Sequence, residues 1–193
     1  YELTVLPFPP RVLAPEYKKV NPLGTIPLLL DGATRMTESA AIGHYLATRH
    51  GPSPLAVDVA EDDYGAFLNW THFGEATLTF PQTLVLRYSL LEPEARRLPQ
   101  VADAYAQWFL ARLRAIEAAL QGKEWLCAGR FTVADVSVGY ALLLATTLKL
   151  HGGFGPRVAQ YWERLQQREG YQRARVAQRR AAEQAGVKSD GAF

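Results

Sequence analysis

At His50–Leu55 the sequence HGPSPL separates two patterns that cannot share one kind of layer. Before it the signals are mixed. Tyr1–Leu6 (YELTVL) is rich in strand formers and is stopped by Pro7, Pro9 and Pro10. Pro15–Val20 suits a short helix or turn. Ile26–Leu30 is an apolar run followed by Asp31-Gly32, a hairpin signal, with Ala33–Met36 as the returning strand. Ser39–Arg49 then reads as a helix with Ile42, Tyr45 and Leu46 on one face. After the Gly/Pro/Ser cluster, helical spacing of the apolar residues dominates. The expectation is an α/β domain over residues 1–50, a linker over 51–56 and an all-helical domain over 57–193.

The helical half carries its own punctuation. Tyr64, Phe67, Leu68 and Thr71 share a face of a long helix, about Asp62–Tyr88, which should bend near Pro81. Pro99 opens a second helix whose apolar face carries Val101, Tyr105, Trp108, Phe109, Leu113, Ile116 and Leu120. Thr132–Lys149, Arg157–Arg168 and Tyr171–Gln184 follow. Thr132 and Asp135 form a capping box, with Phe131 and Val136 at the staple positions. The helix they start is apolar nearly all round, so it should lie at the centre of its domain. The tail from Gly186 to Phe193 is small and polar enough to fray.

Composition narrows the functional classes. A net charge of +2 on 193 residues gives no pull toward nucleic acid or an anionic membrane. The longest uncharged apolar stretch, Val136–Leu148, is shorter than the roughly 20 residues of a membrane span. A single cysteine, Cys127, excludes an intramolecular disulfide framework and fits a reducing compartment. No export leader is apparent, and the cytoplasm is the expected location.

Taken together, NPLGTIPLLLDGATRMTESAAIGHYL (Asn21–Leu46) resembles the glutathione-binding half of a cytosolic glutathione transferase. RFTVADVSVGY (Arg130–Tyr140) resembles the capped buried helix of that family's second domain. The resemblance spans nearly the whole chain. It implies a thioredoxin-like domain followed by an all-helical one, and a glutathione S-transferase enzyme serving detoxification, with glutathione as co-substrate and no metal. The expected partners are glutathione and a small, apolar electrophile, with the protein a homodimer.

The resemblance also assigns residues. Pro27 matches the family's cis-proline, leaving the backbone N–H and C=O of Ile26 free to pair with the cysteinyl unit of glutathione. Glu38 and Ser39 match the contacts to the γ-glutamyl end. A serine hydroxyl and amide at a helix start suit its carboxylate, and Glu38 can accept from its ammonium. A trans edge proline and a plain N-cap serine are the bland alternatives. Lys18 and Lys19 lie in the region expected to meet the glycyl carboxylate, although surface lysines are more often plain solvated charge.

The family's thiol-activating Tyr, Ser or Cys belongs before a segment like YELTVL. It is expected ahead of Tyr1, and Tyr1 itself does not match it. Either upstream residues are absent from the recorded sequence or the domain is incomplete. Without the family's first strand, Tyr1–Leu6 has no neighbour. Trp70 and Phe73 fit an electrophile pocket, a core or a subunit interface. His72 and Glu75 are three apart on one helix, too few ligands for a metal site. Cys127 reads as a buried inert thiol, and Arg173, Arg175, Arg179 and Arg180 as a solvated face. The competing function is a non-catalytic binding or assembly module built on the same scaffold.

Overall fold

A computed structural model describes residues 1–187. The tail expected to fray lies outside the described residues from position 188 onward. The chain forms two compact units. One takes Tyr1–Ile42 together with the chain from Leu165; the other is Gly43–Arg164.

In the first unit, YELTVL is not a strand. It has the composition of one but no partner among the described residues, and an unpaired strand has no ladder to hold it. A short helix α1 (Pro10–Leu13) and a 3₁₀ turn (Pro15–Lys19) follow. The hairpin pairs β1 (Leu29–Asp31) with β2 (Thr34–Met36) antiparallel, Leu30 opposite Arg35. The ladder is shorter than the apolar run, because Ile26–Leu28 stay outside it. Gly32 opens the two-residue loop at φ +57°, a conformation glycine adopts without a Cβ clash. Helix α2 (Ser39–Arg49), whose residues from Gly43 onward belong to the second unit, has the expected bounds but a different inner face. Its buried residues are Ala40 and Ala47, while Leu46 is exposed.

In the second unit the long helix is α3 (Tyr64–His72), a π-helical stretch (Phe73–Thr79), α4 (Phe80–Leu86) and a second π stretch (Arg87–Leu91). At Pro81 the irregularity takes the form of a change of hydrogen-bond register. Helix α5 (Pro99–Ala119) packs on α4, and α6 (Val133–Thr147) packs on α3 and the first π stretch. The inner face of α5 is Ala102, Ala106, Phe109, Leu113 and Ile116; Trp108 is exposed and Tyr105 half-buried. The alanines displace the expected aromatics because small side chains let two helix backbones close up.

Helix α6 is as central as its composition requires. Ala134, Val138, Ala141, Leu142 and Ala145 are fully buried, yet Val136 is 48% and Tyr140 53% exposed, so one stripe faces outward. The capping box forms: the Thr132 N–H donates to Asp135 Oδ2 at 2.8 Å. Asp135 Oδ1 also accepts from Tyr161 Oη at 2.8 Å and from the Leu126 N–H at 3.2 Å. Burial pushes the Asp135 carboxyl up and these donors pull it back. The expected staple does not close the same way. Phe131 sets its ring edge-on to Trp125, 5.4 Å between centroids, while Val136 faces out. The chain continues through α7 (Pro156–Gln167) and α8 (Glu169–Gln184). Among the described residues no helix is long and apolar enough to cross a membrane.

Candidate functional site

The first unit builds one loop with care. Asn21 is buried, and its Nδ2 donates to the Thr25 carbonyl at 2.8 Å and to Thr25 Oγ1 at 3.3 Å. Its Oδ1 accepts from the Leu23 N–H at 3.2 Å, closing an Asx turn. Tyr17 Oη donates to the same Thr25 carbonyl at 2.9 Å. Gly24 sits at φ +62° with its Cα against Arg11; a Cβ there would stand 2.8 Å from the Arg11 Cβ. The Arg35 guanidinium donates to the Val20 carbonyl, tying β2 to the loop's start. These contacts hold Thr25 and therefore aim the next residue, Ile26. The Ile26–Pro27 bond is cis, and both residues are exposed. Asn21 was not among the sequence candidates. The NPxG spacing at 21–24 was its signal, since Asn before Pro with Gly two later is turn chemistry.

Glu38 and Ser39 follow β2 directly and lie at the start of α2, both exposed. The Glu38 carbonyl accepts the Ile42 N–H at 2.9 Å, so Glu38 takes the N-cap place and Ser39 is the first helical residue. Thr37 Oγ1 donates to Glu38 Oε1 at 3.2 Å. A carboxylate acceptor, a hydroxyl and the positive end of a helix thus share one exposed corner, chemistry suited to a zwitterion. Lys19 lies 3.6 Å from Glu16, both well exposed.

The second unit carries an open depression of about 400 Å³ along the long helix, lined by Leu68, Asn69, His72, Phe73, Ala76 and Thr77. Phe73 belongs to it. Trp70 does not line it; its ring meets Phe73 edge-on at 5.1 Å, and it packs against the cluster containing Ala47, Val57, Phe67 and Cys127. Cys127 is buried, and burial raises its thiol pKa, the opposite of what a reactive thiolate needs. Among the described residues no three or more His, Cys, Asp or Glu side chains gather as metal ligands. Arg173 pairs with Glu169, and Arg179 and Arg180 are exposed along α8.

Next to Cys127 is a backbone clamp. Arg130 donates through both terminal nitrogens to Glu61, at 2.8 and 2.7 Å, and also to the carbonyls of Pro54 and Ala56. The Val133 N–H bonds to the Leu55 carbonyl at 2.8 Å. The Gly/Pro/Ser segment is therefore pinned at several points to the start of α6.

Comparison with known proteins agrees with this layout. Residues 1–49 match the family model of the glutathione S-transferase N-terminal domain. The glutathione S-transferase GstA of Escherichia coli O157:H7 is 28% identical over 168 residues, 84% of this chain and 78% of that protein. Elongation factor 1-gamma of Prunus avium is 28% identical over 151 residues, 77% of this chain but 35% of that protein. A solved glutathione transferase from Phanerochaete chrysosporium, in complex with oxidised glutathione, superposes with a TM-score of 0.79 at 26% identity, covering 94% of this chain and 86% of that one. The fold is a thioredoxin-like domain followed by a helical domain. Sequence, domain model and fold all lead to one conclusion: the chain belongs to the glutathione transferase superfamily and is a glutathione S-transferase-like enzyme.

Proposed function

We propose that the chain binds glutathione through the exposed backbone of Ile26 beside Pro27 and through Glu38 and Ser39, and uses its thiolate against a small apolar electrophile. The observation that carries this reading is the corner where Glu38 caps α2 and Ser39 begins it. An ammonium needs an acceptor, a carboxylate needs donors, and that corner offers both within one residue step. The Ile26 backbone is aimed by the bonds that Asn21 and Tyr17 make to Thr25. The apolar part of the depression, Leu68, Phe73 and Ala76, supports an apolar second substrate. A donor to the sulfur favours the thiolate and so raises the nucleophile's population at neutral pH.

The proposed division is a glutathione-binding domain over residues 1–50, a linker over 51–56 and a helical domain over 57–193. The proposed setting is the cytoplasm, where a chain with one cysteine is at home, and the role detoxification. A homodimer is part of the proposal, because exposed apolar groups line the long helix, Phe80 at 52% and Leu90 at 54%.

Calorimetric titration tests the site. Glu38→Ala and Ser39→Ala each remove a hydrogen bond to a charged group, a loss of roughly 1.5–3 kcal/mol, or about ten- to a hundredfold in affinity for glutathione. Unchanged dissociation constants with an intact circular dichroism spectrum would remove both residues from the site. The likeness to a protein named elongation factor 1-gamma favours a second reading, a non-catalytic binding or assembly module. Glutathione binding without any turnover of 1-chloro-2,4-dinitrobenzene supports that reading.

A further inference from the structure

The depression on the long helix is lined in pairs four residues apart: Leu68 and Asn69, His72 and Phe73, Ala76 and Thr77. An α-turn holds about 3.6 residues, so a step of four over-rotates round the axis. From Phe73 to Thr79 the helix is π-helical. Its bonds reach five residues back, so each turn holds more residues and a step of four under-rotates. One step of each kind brings the three pairs back to a single face. In a continuous α-helix the third pair would swing away from the first.

Several contacts hold this register. Pro81 has no N–H, and its ring collides with the carbonyl four residues back, that of Thr77, if the α pattern continues through it. The Phe80 N–H instead bonds to the Glu75 carbonyl, five residues back. Thr79 Oγ1 donates to the Gly74 carbonyl at 2.9 Å, again five back. One residue past Pro81, the fully buried Gln82 donates Nε2 to the carbonyls of Leu78 and Ala141, each at 3.0 Å, and so docks the next turn onto α6. On the same inner side, Gly74 lies so close to α6 that a Cβ would stand 2.4 Å from Ser137 Oγ. The inner face is thus anchored at Gly74 and Gln82. A change of register between them must show on the outer face, where the depression is.

We propose that the π stretch Phe73–Thr79 is the specificity-determining element of this depression. Pro81 and Thr79, which do not line it, are positioning residues. They keep Ala76 and Thr77 in line with His72 and Phe73 and so decide which apolar ligands fit. The proposal rests on the reading of the depression as the electrophile site. It adds that selectivity resides in the helix register rather than in the lining side chains alone.

The test compares the full chain with Pro81→Ala, Thr79→Val and Thr79→Ser. Two apolar ligands of different size, 1-chloro-2,4-dinitrobenzene, followed by quenching of tryptophan fluorescence, and the bulkier N-phenyl-1-naphthylamine, followed by its own emission, are titrated, and glutathione by calorimetry. In Pro81→Ala and Thr79→Val the ratio of the two apolar affinities is expected to shift about tenfold. Glutathione affinity should stay within about twofold of the parent. Thr79→Ser keeps the hydroxyl and is expected to behave as the parent, which a merely space-filling role for Thr79 would not require. Crystal structures of the variants report the register, and Thr79→Val serves if Pro81→Ala does not fold. An α register with an unchanged affinity ratio overturns the proposal alone. A parent protein that binds neither apolar ligand overturns the electrophile reading and the proposal with it.

Discussion

Single residues carry conformations that their neighbours dictate. Lys149 follows helix α6 at φ +61°, the left-handed region that L-residues avoid. It is there because the helix closes with a Schellman motif: the Leu150 N–H reaches the Ala145 carbonyl at 2.8 Å and the Lys149 N–H the Thr146 carbonyl at 3.0 Å. Lys149→Gly removes the Cβ clash at a position where glycine is the usual occupant. It is expected to stabilise the fold by about 1 kcal/mol in urea titration, net of the added freedom of the unfolded chain. A loss of stability would mean that the lysine side chain contributes more than its backbone strain takes away. Nothing in the local sequence marks Lys149 as left-handed; only the meeting of α6 with the following turn demands it.

Elements hold one another's ends. Helix α7 begins at Pro156, and its first turn is capped from outside. Glu117 of α5 accepts the Arg157 N–H at Oε1 and the Val158 N–H at Oε2, both at 3.0 Å. Gly155 lies against the same carboxylate, with room for no Cβ: one would stand 2.5 Å from Glu117 Oε2. Glu117→Ala leaves two amide donors to water and removes a charge from the positive end of α7. The expected loss is about 0.5–2 kcal/mol in urea titration, with hydrogen exchange speeding up at the start of α7 before the rest of the helix. A uniform exchange profile across α7 would show that the cap is replaceable. The capping box of α6 was legible in the sequence because its partners are three residues apart. The α7 cap was not, because Glu117 and Val158 meet only after α5 and α7 pack.

At the scale of the whole molecule, pH and assembly are the observables. The Arg130 guanidinium beside Glu61 holds that carboxyl down at about 2, against an ordinary value of 4.5. A depressed carboxyl contributes stability that is complete above its unfolded value and is lost as pH falls through the folded one. The advantage of the parent over Arg130→Ala in urea titration should therefore be full above about pH 4.5 and fade as pH falls toward about 2. A gap that stays constant across that range would assign the effect of Arg130 to its bonds with the Pro54 and Ala56 carbonyls alone. The proposed homodimer rests on the outward row along the long helix and on the exposed aromatic group where Phe80 meets Trp108 edge-on, 6.2 Å between centroids, with Arg112 over the Trp108 ring at 4.1 Å. Sedimentation equilibrium at low micromolar concentration is expected to give about twice the 21.4 kDa of one chain, and Phe80→Glu should lower it. A mass of one chain would reject the dimer.

The sequence alone determined what local chemistry can decide. Turn residues marked the hairpin at Asp31-Gly32, cap spacing marked the start of α6 at Thr132 and Asp135, and apolar period separated the mixed first half from the helical second. Together with family likeness, these carried the fold and the candidate corner at Glu38 and Ser39. Tertiary structure decided which face of each helix is inward. Ala40 and Ala47 are buried where Leu46 was expected, and Ala102 and Ala106 where Tyr105 and Trp108 were. Period identifies a stripe, but close approach of two backbones selects the smallest side chains on it. Tertiary structure also decided that YELTVL has no strand partner among the described residues and that the helix enters Pro81 from a π-helical stretch, Phe73–Thr79. A strand exists only with its neighbour, and a helix register holds only against what packs beside it.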